Sequence, residues 1–598
     1  MPPDRASNAI NMKFKDWFMQ EQQTLRELGD DFVEDDPRLA PVLGRTASDP
    51  ASEYLMEHFA FLTARLVMKI EDHLPELTHP LLQLLYPNFL RPLPSMTLMQ
   101  FQPVDHALSE TQVLPKGTPV FSRAVDGVSC EFRTCADLAI APLEIRSITT
   151  QPSAEAPVVR IDLGALSEQP LRQMKCDQLR FHLAGSKRNA LTLYQWLAQH
   201  LNKLDLHIGQ HRFALPPSVA FVGFEANEAL LPSPGEQMDG YRILHEFFCF
   251  PERFHGFRID GLGSYWPDEA ATHIQLEFGF SAPLPPDIQI DQTTILLNCI
   301  PAINLFSCTA EPIPLNGQAL CETVRMGRQG GKKGEIFSVD RVSSQRQKSS
   351  DHVQDFKPFE ALDRDFPLAE PTPARYYKLD IEQEPVNDKV QHRISLVHHN
   401  LAPYLGLHEE LNIDLTCSNG RLAQQLRVGE VDVTTQDTPS FVTYRNLTRP
   451  TRSYPPMLQS GGQGERHWAL VSNLALNNLS LSSPATLAAV LRVYDFVAAH
   501  DLQQERNTTQ RLDAIRQVDN EPCDWLVKGV PVRGMRTTLH IDPAGFECEG
   551  EVQLFGNVLS HFMTLYANSN SFHQLQIINT ANATRQLWPA RTGRQPVM

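Results

Sequence analysis

The sequence predicts an α+β multidomain chain, with an N-terminal helical bundle followed by β-rich, wing-like domains. Three observations predict it. Apolar residues recur at helical spacing through the first 90 residues. A proline-dense stretch then stops that pattern. From Met96 onward, short alternating runs bounded by turn residues dominate, among 45 prolines in 598 residues. At about 150 residues per domain the length allows roughly four units. The expected divisions are 1–95 (helical), 96–250 (β-rich with one inserted helix), 251–385 (β-rich, ending in a polar linker) and 386–598 (β-rich with a terminal amphipathic helix).

The helical region comes first. Phe14, Phe18, Leu25, Leu28 and Phe32 follow a 4-3 alternation, and Leu55, Phe59, Leu62, Leu66 and Ile70 form a second stripe. A turn-rich connection separates them, and Asp49-Pro50 marks the start of the second helix. Trp17 and Phe61 widen the apolar arcs beyond one stripe. The plain reading is packing within the same domain; the sharper one is a bundle shared with another chain. The candidate interface residues are Phe14, Trp17, Phe18, Leu25, Leu28, Phe32, Leu55, Phe59, Leu62 and Leu66.

The exit follows in "HPLLQLLYPNFLRPLPSMTLMQFQP", His79 to Pro103. Pro80 suits the first turn of a helix carrying Leu81, Leu82, Leu84 and Leu85. Pro87, Pro92 and Pro94 forbid its continuation, and Met96 opens a strand. The segment reads as a hinge, a bend between helical and β regions. Beyond it, "QLRFHLAG", "HIQLEFGF" and "ELNIDLTC" read as half-buried strands, and "ALTLYQWLAQHL" as the one inserted helix. Residues 340–377 and 449–468 are polar, with proline or glycine pairs, and read as linkers. "MRTTLHID" reads as a strand, Pro543 and Gly545 as a turn, and the run from Gly550 as an amphipathic helix grouping Leu554, Phe555, Val558, Leu559, Phe562 and Tyr566. For that helix, core ranks ahead of interface because strand and turn precede it closely.

Charge and motifs narrow the function. A net charge of −17 argues against a broad nucleic-acid face. No apolar window is long enough to span a membrane, and the first residues lack a signal-peptide core. The ten cysteines are scattered, several in apolar runs, which fits reduced thiols in a cytosolic protein. Between Arg325 and Lys348, seven basic residues face two acidic ones, a net +5, read first as a solvated loop and second as contact to an acidic partner. "GRQGGKKGE" lacks Walker A spacing, and no Cys-x-x-Cys pair, His-Glu-x-x-His helix or Gly-x-Ser-x-Gly elbow occurs. His398, His399, His408 and Glu409 are the nearest approach to a metal set, and loop histidines account for them more simply. The expectation is no enzyme, no metal and no cofactor.

A resemblance gives the positive reading. "FAFLTARLVMKIEDHLPELTHPLLQLLYPNFLRPLPSMTLMQFQP" resembles the N-terminal signature of the TssF family (also ImpG or VasA), baseplate subunits of the type VI secretion system. "CEFRTCADLAIAPLEI", "YRILHEFFCFPERFHGFRIDGL", "CIPAINLFSCTAEPIPL", "IFSVDRV", "WALVSNLALNNLSL" and "LFGNVLSHFMTLYANSNSF" are similar to further family segments, in order along nearly the whole chain. The departures are a longer N-terminus, a histidine in "LSHF" where the family often has arginine, and a divergent stretch between Arg341 and Tyr376.

The resemblance implies a structural protein similar to a wedge protein of contractile phage tails. It implies two copies joining one TssG, with TssK, in wedges around a spike hub from which a sheath grows. The implied location is the cytoplasm, docked on the inner-membrane complex without membrane insertion. The rival readings are a wedge protein of a phage tail or tailocin, and a β-rich glycan-active enzyme.

Overall fold

The computed structural model describes residues 75–593 except 152–156, 167–169, 233–238, 269–272, 318, 328–332, 347–352, 361–374, 384–389, 399–401, 407–408, 459–463, 474–480 and 528–529; before residue 75 it describes 18–19, 22–24, 54 and 58–63. It is a mixed α+β, β-rich chain. The described residues before 75 are helical.

Helix α1 spans Pro75–Leu85 with Pro80 inside it. Pro80 thus sits past the first turn expected for it. Its missing N–H forfeits one backbone bond, and Leu82, on the side facing the body, is buried. A 3-10 turn at Pro87–Phe89 and an isolated bridge at Leu93 lead into strand Met96–Pro103. That strand is a divider. Met96 and Leu98 belong to the largest apolar core, and Met99 and Phe101 to a second one. Its alternation is between two interiors, so both faces read apolar. It lies in a five-stranded sheet of order 442–446, 96–103, 299–303, 128–134, 119–125.

Two further sheets carry the middle of the chain, one of order 211–215, 201–208, 273–280, 158–165, 143–151, and one of order 220–221, 256–259, 179–183, 295–297. Strand Leu179–Leu183 is buried along its whole length, not on one face as expected. The polar face closes because Arg180 meets Glu228 at 2.6 Å. Helix α2, Lys187–Gln199, is the expected inserted helix, capped by Ser186, whose hydroxyl accepts from the Asn189 N–H. A second helix, α3, Asp239–Cys249, stands where none was expected. Its Glu246 and Arg242 lie inside an apolar run, which hid the helical period.

The described residues of the polar stretch after Asp340 are largely strand, contrary to the linker reading. Strand Glu335–Arg346 pairs with Glu409–Ser418, and Val353–Pro358 pairs with it in turn, within an eight-stranded sheet. The stretch reads polar because one face meets solvent, while Val342 and Ser344 are buried on the other. The solvated-loop reading of the basic segment changes with it: Arg341 grips Asp355 at 2.9 Å across two exposed strand positions.

Helices α4 (Gly464–Asn473), α5 (Pro484–Val493) and α6 (Leu502–Asp513) follow, so the second polar stretch ends in helix. The last sheet runs 515–527, 530–541, 572–579, 585–587. Strands 530–541 and 572–579 are parallel, and helix α7, Glu549–Met563, is their crossover. The strand and the turn at Pro543–Gly545 stand as expected. The helix is buried nearly all round rather than amphipathic, because α2 and α3 cover the side that the strands leave open. Core was the correct ranking for its apolar face.

Gly550 lets α7 reach the backbone of α2. A Cβ there would lie 2.0 Å from the Leu191 carbonyl oxygen, an atom that cannot move aside. Gly550→Ala is therefore expected to cost more than about 4 kcal/mol, by forcing two packed helices apart. Chemical denaturation read by circular dichroism checks this; an unchanged midpoint would remove the close-approach argument.

Candidate assembly surface

The residues proposed for a shared bundle divide into those described and those not. Phe14, Trp17, Leu25, Leu28, Phe32, Leu55 and Leu66 lie outside the described residues. Phe18 is helical and half-buried. Phe59 and Leu62 are helical, 60% and 55% exposed, while Ala60 between them is fully buried. Residues three apart share a helix side, so Phe59 and Leu62 form one outward apolar edge. Tyr54 and Phe61 are exposed as well. Contiguous exposed apolar surface is, in general, a mark of interaction sites. Leu81 and Leu85 continue the theme on the outer side of α1.

The bend below that surface is held from several sides. Phe89 stacks on His245 of α3 at 5.5 Å and on Phe496 at 6.1 Å. The Tyr86 hydroxyl lies 3.2 Å from Nδ1 of His245. Burial pulls the His245 imidazole down to about 4, so it is neutral at pH 7. Leu93 exchanges backbone hydrogen bonds of 2.9 and 3.0 Å with Tyr454. Arg91 donates to the Pro232 carbonyl and to Asn88 Oδ1, both at 3.1 Å, with its guanidinium over the Phe337 ring.

Beside this bend lies a buried ionic cluster that sequence reasoning missed. Glu246 accepts from Arg242 Nη1 (2.9 Å), Arg253 Nη1 and the Leu230 amide (2.8 Å). Glu228 accepts from Arg180 and from the Gly223 amide, both at 2.6 Å. Arg253 also donates to the Glu228 carbonyl at 2.6 Å. Burial pushes the Glu228 carboxyl up, but Arg180 and Arg253 outweigh it and hold the group below its usual range. The available signal was charge inside an apolar run, as in "HEFFCFPERF".

Other candidate chemistry is accounted for locally. Asp205, His207 and Glu277 converge closely enough to hold an ion. Their carboxylates are already taken, by Lys203 at 3.0 and 2.6 Å, Arg212 on Asp205, and Arg160 on Glu277 at 2.9 Å. Glu409, one of the four suggested metal ligands, instead accepts from the Tyr404 hydroxyl at 2.8 Å. His398 packs edge-on against the same tyrosine, and His399 and His408 lie outside the described residues. All ten cysteines are free, six of them buried. No described helix is long and apolar enough to cross a membrane.

The comparisons with known proteins agree with this picture. The family described as "Type VI secretion system, TssF" matches residues 10–595. The Pseudomonas aeruginosa protein "Type VI secretion system component TssF1" is 28% identical over 634 aligned positions, covering 98% of this chain and all of that protein. A chain in the cryo-electron microscopy structure of the type VI secretion system TssK-TssF-TssG baseplate subcomplex superposes with a TM-score of 0.76 at 28% identity, over 91% of this chain and 99% of that one. A chain of the type VI secretion baseplate complex shares the fold, with a TM-score of 0.60 at 24% identity over 98% of this chain and all of that one. A family match across nearly the entire length, with the same fold, means that this chain belongs to the TssF family of type VI secretion system proteins.

Proposed function

We propose that this chain is a structural wedge subunit of the type VI secretion baseplate, assembling with TssG and TssK. The observation that carries the proposal is the whole-length superposition on a chain of the TssK-TssF-TssG subcomplex. In this reading two copies join one TssG, and the wedges surround the spike hub and nucleate the contractile sheath. The architecture is then like that of a phage-tail wedge protein. Residues 1–95 supply a helical bundle shared with TssG and a second copy, through Phe14, Trp17, Phe18, Leu25, Leu28, Phe32, Leu55, Phe59, Leu62 and Leu66. Segments 96–250, 251–385 and 386–598 project as β-rich wings. The assembly works in the cytoplasm, docked at the inner-membrane complex, and the role is mechanical, without catalysis or cofactor. The outward edge formed by Phe59 and Leu62 supports the bundle.

Co-expression with the cognate TssG, followed by light-scattering mass, tests the proposal. The expected result is a complex with two copies of this chain per TssG. A stable monomer that ignores TssG would overturn it.

A further inference from the structure

A proline-rich exit between a helical region and a β body invites the reading of a hinge. Residues 86–95 do not have a hinge's surroundings. Of them only Arg91 escapes burial, and its Nη1 donates to both Asn88 Oδ1 and the Pro232 carbonyl. A hinge needs residues free to change φ and ψ without breaking packing. Here Phe89 packs against the rings of His245 and Phe496, which also contact each other at 5.4 Å, and Leu93 is tied by paired backbone bonds.

The ionic cluster adds a second tie. Glu246 holds the Leu230 amide, and Arg91 grips the Pro232 carbonyl two residues on. Lys116 Nζ donates to the carbonyls of Asn227 and Ala229 at 2.9 and 3.1 Å, fixing the start of the same stretch. Segment 227–232 is therefore a bracket, bonded to α3 through Glu246 and to the bend through Arg91. His245, adjacent to Glu246, carries the Phe89 ring. One helical turn thus reaches the bend by two routes.

We infer that the bend at residues 86–95 is a rigid strut, with Glu246 and Arg91 as positioning residues that set its angle through segment 227–232. The chain then presents α1 at one fixed angle to the β body. If two copies of one sequence occupy unlike positions around a single partner, the difference arises outside this bend. The inference rests on the assembly reading only for its consequence; the rigidity is a property of the chain itself.

The test places spin labels, as unnatural amino acids, at exposed Leu85 on α1 and at exposed Val433 on the β body. Their distance distribution is read in the full chain, with and without TssG, for wild type, Glu246→Gln and Arg91→Met. The wild type is expected to give one narrow distribution that TssG leaves unchanged. Both variants are expected to broaden it while the far-UV spectrum of the β body is kept. Arg91→Met retains the apolar stem and removes only the grip, so it decides the matter if Glu246→Gln fails to fold. If the competent angle falls to a tenth of the population, apparent TssG affinity falls about tenfold. A broad wild-type distribution, or narrow ones in folded variants, would overturn the strut. A narrow wild-type distribution, together with an unlabelled chain that never binds TssG, keeps the strut and sinks the assembly reading.

Discussion

Phe59→Asp combined with Leu62→Asp is expected to abolish co-purification with TssG while leaving the melting of the β-rich body unchanged. The two side chains lie three residues apart on one helix side, and both are more than half exposed. Burying such a side chain against a partner contributes roughly 1.5–3 kcal/mol, and an aspartate in its place adds the cost of desolvating a carboxylate. Two replacements together exceed about 4 kcal/mol, about a thousandfold in affinity. The folded chain loses little, because neither side chain contributes to a core in the described residues. A pull-down at matched expression, with thermal melting of the purified variant, reads both effects. A complex that survives the double substitution would move the interface elsewhere, with the exposed outer side of α1 next to be tried.

Much of the fold was legible wherever one physical rule governed a segment. The prolines after Leu85 stopped the helix as their missing donors require. The run after Gly550 was read as core because a strand and a turn leave it no room to depart. Reading failed where two rules acted together. Strand Leu179–Leu183 looked half-buried because Arg180 and His182 are polar, but Arg180 closes its face through Glu228, nearly fifty residues away. Helix α3 was hidden by Arg242 and Glu246, whose place in an apolar run makes sense only with Arg253 in view. The stretch after Asp340 looked like linker because a polar, proline-tailed run matches a loop, whereas one solvated face of a long strand has the same composition. Of the candidate surface, the sequence supplied the apolar stripes. It could not supply the brace beneath them, since Tyr86–His245 and Arg91–Pro232 join residues more than a hundred positions apart.

Acid is expected to unfold the body over a narrow range below neutrality. Burial lowers His245, His255, His392 and His573 to about 4 and, with His255 and Arg180 beside it, His182 to about 3. The sign follows from which state takes up protons. An unfolded imidazole titrates near 6.5. As pH falls below that value the unfolded chain binds protons that the folded chain refuses, and stability declines. The stabilisation is whole above about 6.5 and is lost as pH drops toward the folded values. At pH 5 each group has given up on the order of 2 kcal/mol, so several together are comparable to a typical net stability of about 5–15 kcal/mol. Asp495 opposes the trend. Burial raises its carboxyl to about 6, so it takes up its proton in the folded state first and returns only about 1 kcal/mol at pH 5. The balance stays with the histidines, because burial outweighs the charges around them: His182 and His255 face each other, and Glu551 only partly offsets the burial of His255. Melting temperature measured from pH 8 to pH 5 should be flat above about 7 and fall steeply below 6.5. His392→Gln and His573→Gln, each a neutral group of similar reach, should each shift the falling limb toward lower pH. A melting temperature that holds level to pH 5 would mean that these imidazoles gain partners on protonation, and that the body opens enough to solvate them.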